Sequence, residues 1–197
     1  PKKTSAVHAM EKVLPVIKGK LSSMSYRVPT DVVTTGIGIV ELDYNLFGMS
    51  TTGLVLNLLK NFYIPKDIIA VDWWIYTYLL LNGAHGKCVD NATTYYRQSA
   101  DNLVGMKKPL NDDRLETGIK VKRAHYHHVF EYCKKNNLET ATQDYALKNK
   151  EILKLKSALE NEEFRKRYIK ITNKNMEKIY KGWWSEILSL RDWKKYE

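Results

Sequence analysis

From Asp112 onward the 197-residue chain has no proline and only two glycines, Gly118 and Gly182. That scarcity excludes a turn-rich architecture over this stretch and predicts helices at 112–136, 139–159 and 161–190. Asn161 and the acidic pair after it form a start signal at the positive end of the last one. Cysteine is nearly as scarce: Cys88 and Cys133 are the only two, and they belong to no metal-spaced pair. With no secretory signal ahead of them, a reducing, cytoplasmic compartment is the expectation. Long apolar runs are also missing. The longest, around Ile75 to Leu81, is far short of the ~20 residues of a membrane-spanning helix. The Asn91-Ala-Thr93 sequon therefore carries no weight.

What the chain does have is positive charge and aromatic rings. Lys and Arg number 32 against 22 Asp and Glu, and there are five Trp and thirteen Tyr. Residues 107–197 hold 22 basic and 14 acidic side chains, so +8 of the net +10 lies there. A basic half attracts anions of any kind: nucleic acid, acidic lipid headgroups or phosphorylated ligands. A division near Met106 follows, with a mixed α/β segment at 1–106 and a basic helical extension at 107–197.

Within the first part, "TSAVHAMEKVLPVIK" (4–18) reads as a helix capped by Thr4 or Ser5, with Val7, Met10, Val13 and Leu14 at helical spacing and Pro15 ending or kinking it. Residues 22–44 are rich in β-branched and aromatic side chains and read as one or two strands. "TTGLVLNLLKNF" (51–62) places Leu54, Leu58 and Leu59 on one helical face, and residues 72–82 form a second, largely buried helix stopped by Asn82 and Gly83. "KCVD" and "TTYYRQ" are short strand candidates. "TGIGIVELD" holds Gly36 and Gly38 but lacks the third glycine of a dinucleotide fingerprint.

Several clusters bear on chemistry. Asp72, between Val71 and Trp73, sets a carboxyl beside large apolar surface, where desolvation raises its pKa and suits it to act as a base; it is equally placed to cap a helix beginning at Trp73. Arg97, flanked by Tyr95, Tyr96 and Gln98, offers a planar fork for phosphate or carboxylate, or else a structural salt bridge. His125, His127 and His128 in "KRAHYHHVF" have no carboxylate or cysteine ligand near them in sequence, and a solvated basic face is expected rather than a metal site. Trp183, Trp184 and Trp193, interleaved with Lys181, Arg191, Lys194 and Lys195, form a tail suited either to an anionic membrane surface or to core packing.

The run "IPKDIIAVDWWIYTYLLLNGAHGKCVDNATTYYRQSADNLVG" (64–105) resembles the C-terminal half of the catalytic domain of bacterial family-2 glycosyltransferases, especially the rhamnosyltransferase-like group. Ile64, Pro65, Asp72, Trp73, Trp74, Gly86, Lys87, Tyr96, Arg97, Gln98, Asn102, Val104 and Gly105 carry the likeness. Val71 and Ser99 stand where that group usually has histidines. A looser likeness extends it to about residues 45–190. The resemblance implies an α/β fold, a partial GT-A-like nucleotide-diphospho-sugar transferase domain followed by a basic helical extension. It implies a glycosyltransferase that moves a sugar from a nucleotide-sugar donor to a glycan or lipid-linked acceptor. Asp72 would be the catalytic base, and Trp73, Trp74, Tyr96, Arg97 and Gln98 would bind substrate. A divalent metal, Mg or Mn, and peripheral contact with the inner face of an anionic membrane would accompany it, with nucleic acid as the rival partner for the basic tail.

A second, shorter resemblance covers "TSAVHAMEKVLPVIKGKLSSMSYRVPT" (4–30), which is similar to a segment of glyceraldehyde-3-phosphate dehydrogenase. There Thr4 and Arg27 match phosphate-binding positions. The alternatives to a sugar transferase are accordingly a phosphate-binding fragment of that dehydrogenase type and a non-catalytic basic interaction module.

Overall fold

A computed structural model describes residues 52–89 and 109–197, together with Asp43–Asn45, Met49 and short strand segments between Ser5 and Ser25. Five of those segments are β1 (Ser5–Ala9), β2 (Lys12–Val13), β3 (Val16–Ile17), β4 (Lys20–Leu21) and β5 (Met24–Ser25). They are followed by β6 (Thr52–Gly53) and β7 (His85–Val89). β1 is the centre of a three-stranded sheet, antiparallel to β6 with Val7 opposite Gly53 and parallel to β7 with Val7 opposite Lys87. β2 pairs with β5 and β3 with β4, each antiparallel.

Two local expectations are corrected here. The helix expected at 4–18 is replaced by strand at Ser5–Ala9, Lys12–Val13 and Val16–Ile17, where β-branched Val7, Val13, Val16 and Ile17 take ladder partners and tertiary pairing overrides helical spacing. The helix expected at 51–62 shrinks to β6 and a single 3-10 turn, Leu56–Leu59, whose N-cap Val55 has no side-chain acceptor to satisfy the first amides. Leu56 is left 76% exposed.

The α/β, GT-A-like reading is corrected as well, because the described residues are mostly helical. A nucleotide-binding βαβ domain needs several parallel strands joined through helices. Among the described residues only β1 and β7 run parallel, and neither is longer than five residues. Of the expected strands, "KCVD" falls partly within β7, whereas "TTYYRQ" and most of 22–44 lie outside the described residues.

α1 (Val71–Leu81) matches the helix expected at 72–82, and its stop is the one the sequence signals. Gly83 takes φ +77°, and Ala84 N–H donates to Leu79 O at 3.0 Å while Gly83 N–H donates to Leu80 O at 3.0 Å. A left-handed residue just past the helix with this bond pair is a Schellman ending. By its contacts the described chain divides into two units, one holding β1–β7, residues 52–63 and Ile75–Leu81, the other holding 43–45, 64–74 and 109–197.

The second unit is helical because asparagine does there what glycine does elsewhere. α2 (Asp112–Lys135) begins at Asn111, whose side chain accepts from Arg114 N–H at 2.9 Å, with Asp112 and Asp113 in the first turn and Lys134 and Lys135 in the last. Both charge sets complement the helix dipole. Its exit is another Schellman ending, with Asn137 at φ +57° and Leu138 N–H donating to Cys133 O at 3.0 Å. That turn folds α3 (Glu139–Ala158) back onto α2 as a helical hairpin. α4 (Glu162–Lys174) starts on Asn161, which accepts from Phe164 N–H at 2.9 Å as its start signal implied.

The helix expected to continue to 190 instead stops at Lys174. A short α5 (Met176–Ile179) follows, then an irregular segment, then α6 (Leu190–Trp193) capped by Ser189. Trp184 sits at φ +71°, a strained conformation for a bulky residue, and deep burial holds it there: Trp184 and Ile187 are almost inaccessible. Tyr168 of α4 clamps the segment, its hydroxyl accepting from Leu188 N–H at 2.8 Å and donating to Leu188 O at 2.9 Å. Arg114 Nε donates to Glu186 Oε1 at 2.7 Å, and Lys122 Nζ donates to Ile187 O at 2.8 Å. Trp193 stacks on Tyr168 with centroids 5.5 Å apart. Of the tail tryptophans, Trp184 and Trp193 are thus core residues, while Trp183 is half-buried.

Gly118 lies inside α2, where Gly→Ala alone gains about 1 kcal/mol of helix propensity. A Cβ there would stand 2.5 Å from Ile187 Cγ1 and 2.8 Å from Cδ1, and Ile187 is walled in. Overpacking costs about 1–3 kcal/mol, so Gly118→Ala is expected to lower the urea midpoint despite the better helix former.

Burial of Lys122 lowers its pKa from 10.5 to about 8. Between those values the unfolded chain binds a proton that the folded chain does not, so stability rises with pH. The clean window is pH 8 to 9, below the ordinary thiol value of 9.0 that Cys133 exceeds on folding. A gain of about 1 kcal/mol across it is expected from denaturant unfolding, and Lys122→Met should flatten that slope.

Candidate functional site

Asp72 is the second residue of α1, two positions further into the helix than the N-cap, because the helix begins at Val71 rather than Trp73. The chain reaches it through residues 64–70, where Pro65 and Ile68 are buried and Ile68 N–H donates to Pro65 O at 3.1 Å. Asp72 Oδ1 accepts from Trp73 N–H at 2.8 Å, so the carboxylate still satisfies an amide of the first turn. Asn45 supplies a side-chain hydrogen bond as well.

Asn45 is held from two directions. Its N–H donates to Trp183 O at 3.1 Å, and its residue is buried beside Gly182. A Cβ at Gly182 would lie 2.7 Å from Asn45 O and 2.8 Å from Tyr44 Cδ2, so only glycine allows this approach. Nothing in the sequence pointed to Asn45: it lies 27 positions before Asp72, in no motif, and only the fold brings them together.

The charge state of Asp72 is set by competition. Burial, the largest influence, raises its pKa, while the Trp73 amide and the Asn45 side chain lower it; burial wins and the carboxyl stays above its usual range. Among the described residues no cation forms an ion pair with it. A half-buried carboxylate held by neutral donors has a higher proton affinity than a solvated one, which is the direction a general base requires.

Trp73 and Trp74, expected to touch substrate, are turned into the packing and are 5% and 3% exposed. Trp73 lies flat on His125 of α2, centroids 3.8 Å apart and planes 12° from parallel. Trp74 meets His125, His128 and Tyr132 edge-on. Their contribution is to fix the first turn of α1 against α2, and with it the carboxylate.

The histidines correct the expectation of a solvated basic face. His125 is fully buried, and burial and then the Lys148 and Lys122 charges drive its pKa well below 6.5, so the ring is neutral. His128 meets Asp67 at 2.7 Å, a carboxylate 61 positions away that the local sequence did not offer. The hydrogen bond from His128 is the largest influence lowering the Asp67 pKa. His127 alone of the three is exposed. Among the described residues no group of three or more His, Cys, Asp and Glu side chains is placed to hold a metal ion, so no step is assigned to magnesium or manganese here. Among them, too, no helix is long and apolar enough to cross a membrane. Tyr96, Arg97 and Gln98, and likewise Thr4 and Arg27, lie outside the described residues.

A neutral, buried His125 makes the Trp73 stack acid-sensitive. The unfolded chain takes up a proton below pH 6.5 that the folded ring resists, so stability falls as pH drops through that value. His125→Phe keeps a flat ring against Trp73 and removes the proton site. Denaturant midpoints at neutral pH and about one unit below 6.5 should fall for the parent and change less for the variant.

Compared with protein-family models, with curated proteins and with solved structures, the chain matches none, and the functional reading rests on the geometry around Asp72 and on the sequence in which it is set.

Proposed function

We propose that this chain transfers a sugar from a nucleotide-sugar donor to a hydroxyl on a glycan or lipid-linked acceptor, with Asp72 as the general base. The supporting observation is the Asp72 carboxyl itself: half-buried, raised in pKa, held by Trp73 N–H and the Asn45 side chain, and without an ion-pair partner among the described residues. In the reaction the acceptor O–H proton passes to Asp72, the acceptor oxygen forms a bond to the sugar C1, and the C1–O bond to diphosphate breaks with its electron pair on the leaving group. Arg97 and Gln98 are the residues that the glycosyltransferase resemblance sets near that diphosphate, where a planar fork suits two phosphate oxygens. Trp73 and Trp74 act through position, by pinning the turn that carries the base. The mostly helical architecture lends no support of its own. The reading stands on the carboxylate and its sequence setting.

Asp72→Asn separates chemistry from folding. The amide still accepts from Trp73 N–H but does not take the acceptor proton. Because the folded pKa of Asp72 is raised, its ionised form opposes folding at neutral pH, and the neutral amide should leave the melting temperature equal or higher. Release of nucleoside diphosphate from a panel of nucleotide sugars, with glycan acceptors present, is expected to drop by about 10²–10⁴-fold. Turnover retained in the variant, or none in the parent across the panel, removes the assignment.

A further inference from the structure

α2, α3 and residues 66–69 line a solvent-open cavity of about 580 Å³, a size in the range of about 300–1,000 Å³ that small organic ligands occupy. Its lining has two characters. Lys120, Arg123 and His127 project from one face of α2, since positions i, i+3 and i+7 fall on the same side of a helix, and Lys66 faces them from the segment before α1. Lys66, Lys120 and Arg123 form no ion pair with any described residue. The single carboxylate in the lining, Asp67, is already engaged by His128 at 2.7 Å. The cavity is therefore cationic.

The other character is apolar. Ala124 of α2 and Ile152 and Leu153 of α3 line the same space, with Ile69 at its edge. Leu153 is 52% and Ile69 38% exposed, so large aliphatic surface lies open beside unneutralised charge. Asn149 donates its amide hydrogens to Tyr126 O at 3.0 Å and Tyr145 O at 2.9 Å, which leaves its carbonyl oxygen as the group it offers a ligand hydroxyl.

We propose that this cavity is a binding site for a small phosphorylated organic molecule, its phosphate held by Lys120, Arg123 and Lys66 and its apolar or ring body seated on Ala124, Ile152 and Leu153. Charge complementarity selects the phosphate, and Arg123 adds a planar fork matched to its oxygens. The cavity volume and its aliphatic lining fit a compact body. Nucleic acid is bound through phosphates strung along an extended basic surface, which does not call for aliphatic side chains between the cations. An anionic membrane would draw on the same cations, and vesicle binding is therefore an outcome of the test. The site is independent of the Asp72 reading and stands or falls without it.

The test uses 1-naphthyl phosphate as probe, titrated calorimetrically into the whole chain, with inorganic phosphate and 1-naphthol as the charge-only and ring-only controls. Saturable one-to-one binding, tighter than either control, is expected. Arg123→Gln and Leu153→Gln, exposed substitutions on different helices, should each weaken it by about tenfold, with circular dichroism unchanged. Duplex DNA, RNA and phosphatidate vesicles form the remaining arms. Absence of saturable binding, affinity no better than that of inorganic phosphate, indifference to both variants, or binding to nucleic acid or vesicles alone would overturn the proposal.

Discussion

The contact on which the rest of the helical unit depends is the stack of Trp73 on His125. A ring pair at 3.8 Å and nearly parallel contributes about 0.5–1.5 kcal/mol beyond the area it buries. Its larger effect is positional. Residues 64–74 have just one turn of helix within this unit, too short to hold a place by themselves, and Trp73 and Trp74 fasten them to the middle of α2. Everything chemically interesting is carried by that strip: Asp72 follows from it, as do Lys66, Asp67 and Ile69. If His125 were charged, the cost of a buried cation would fall on the same contact, so burial of the imidazole and location of the carboxylate are one problem.

Charge inside this unit is managed by pairing rather than exclusion. Glu186 is inaccessible and is met by Arg114; Lys122 is inaccessible and is met by a backbone carbonyl, with Asp43 and Glu186 among the charges that favour its protonated form. Removing one partner of such a pair is far more damaging than replacing both, because it strands a desolvated charge. The pairs converge on residues 186–187, the segment that the chain must hold in an irregular, partly strained shape. The remaining cations are spread over the surface, and where three of them border the same cavity with no acidic partner among the described residues, their mutual repulsion is a cost that an anion would relieve.

Helix starts and stops were legible because they depend on one or two local residues. Asn161 followed by Glu162 and Glu163, and Asn82 followed by Gly83, act within a single turn and appear in the structure as read. The long helix from 161 was not: it ends at Lys174 with Asn175 as its C-cap, and the segment beyond is shaped by tertiary contacts, Gly182 admitting Asn45 and Tyr44 from over 100 positions away and Trp184 taking a positive φ where it is buried. The helix expected at 4–18 failed for the opposite reason, since valines at helical spacing fit a strand as soon as a partner strand is present. Of the candidate site, Asp72 was visible because Trp neighbours announce desolvation. Asn45, Asp67 and the basic cavity were not, because each is assembled from distant segments and carries no motif.

At Asp72 two demands usually assigned to different residues meet. The first turn of a helix favours an ionised carboxylate, through its free amides and positive dipole end, and this alone would make Asp72 a weak base at neutral pH. Burial pulls the other way and prevails. A base placed in this manner keeps a fixed direction, because Trp73 N–H and the Asn45 side chain restrain the carboxylate, and keeps proton affinity, because water is reduced around it. The start of α1 at Val71 sets Asp72 within the first turn, where its carboxylate both meets a free amide and is partly withdrawn from water.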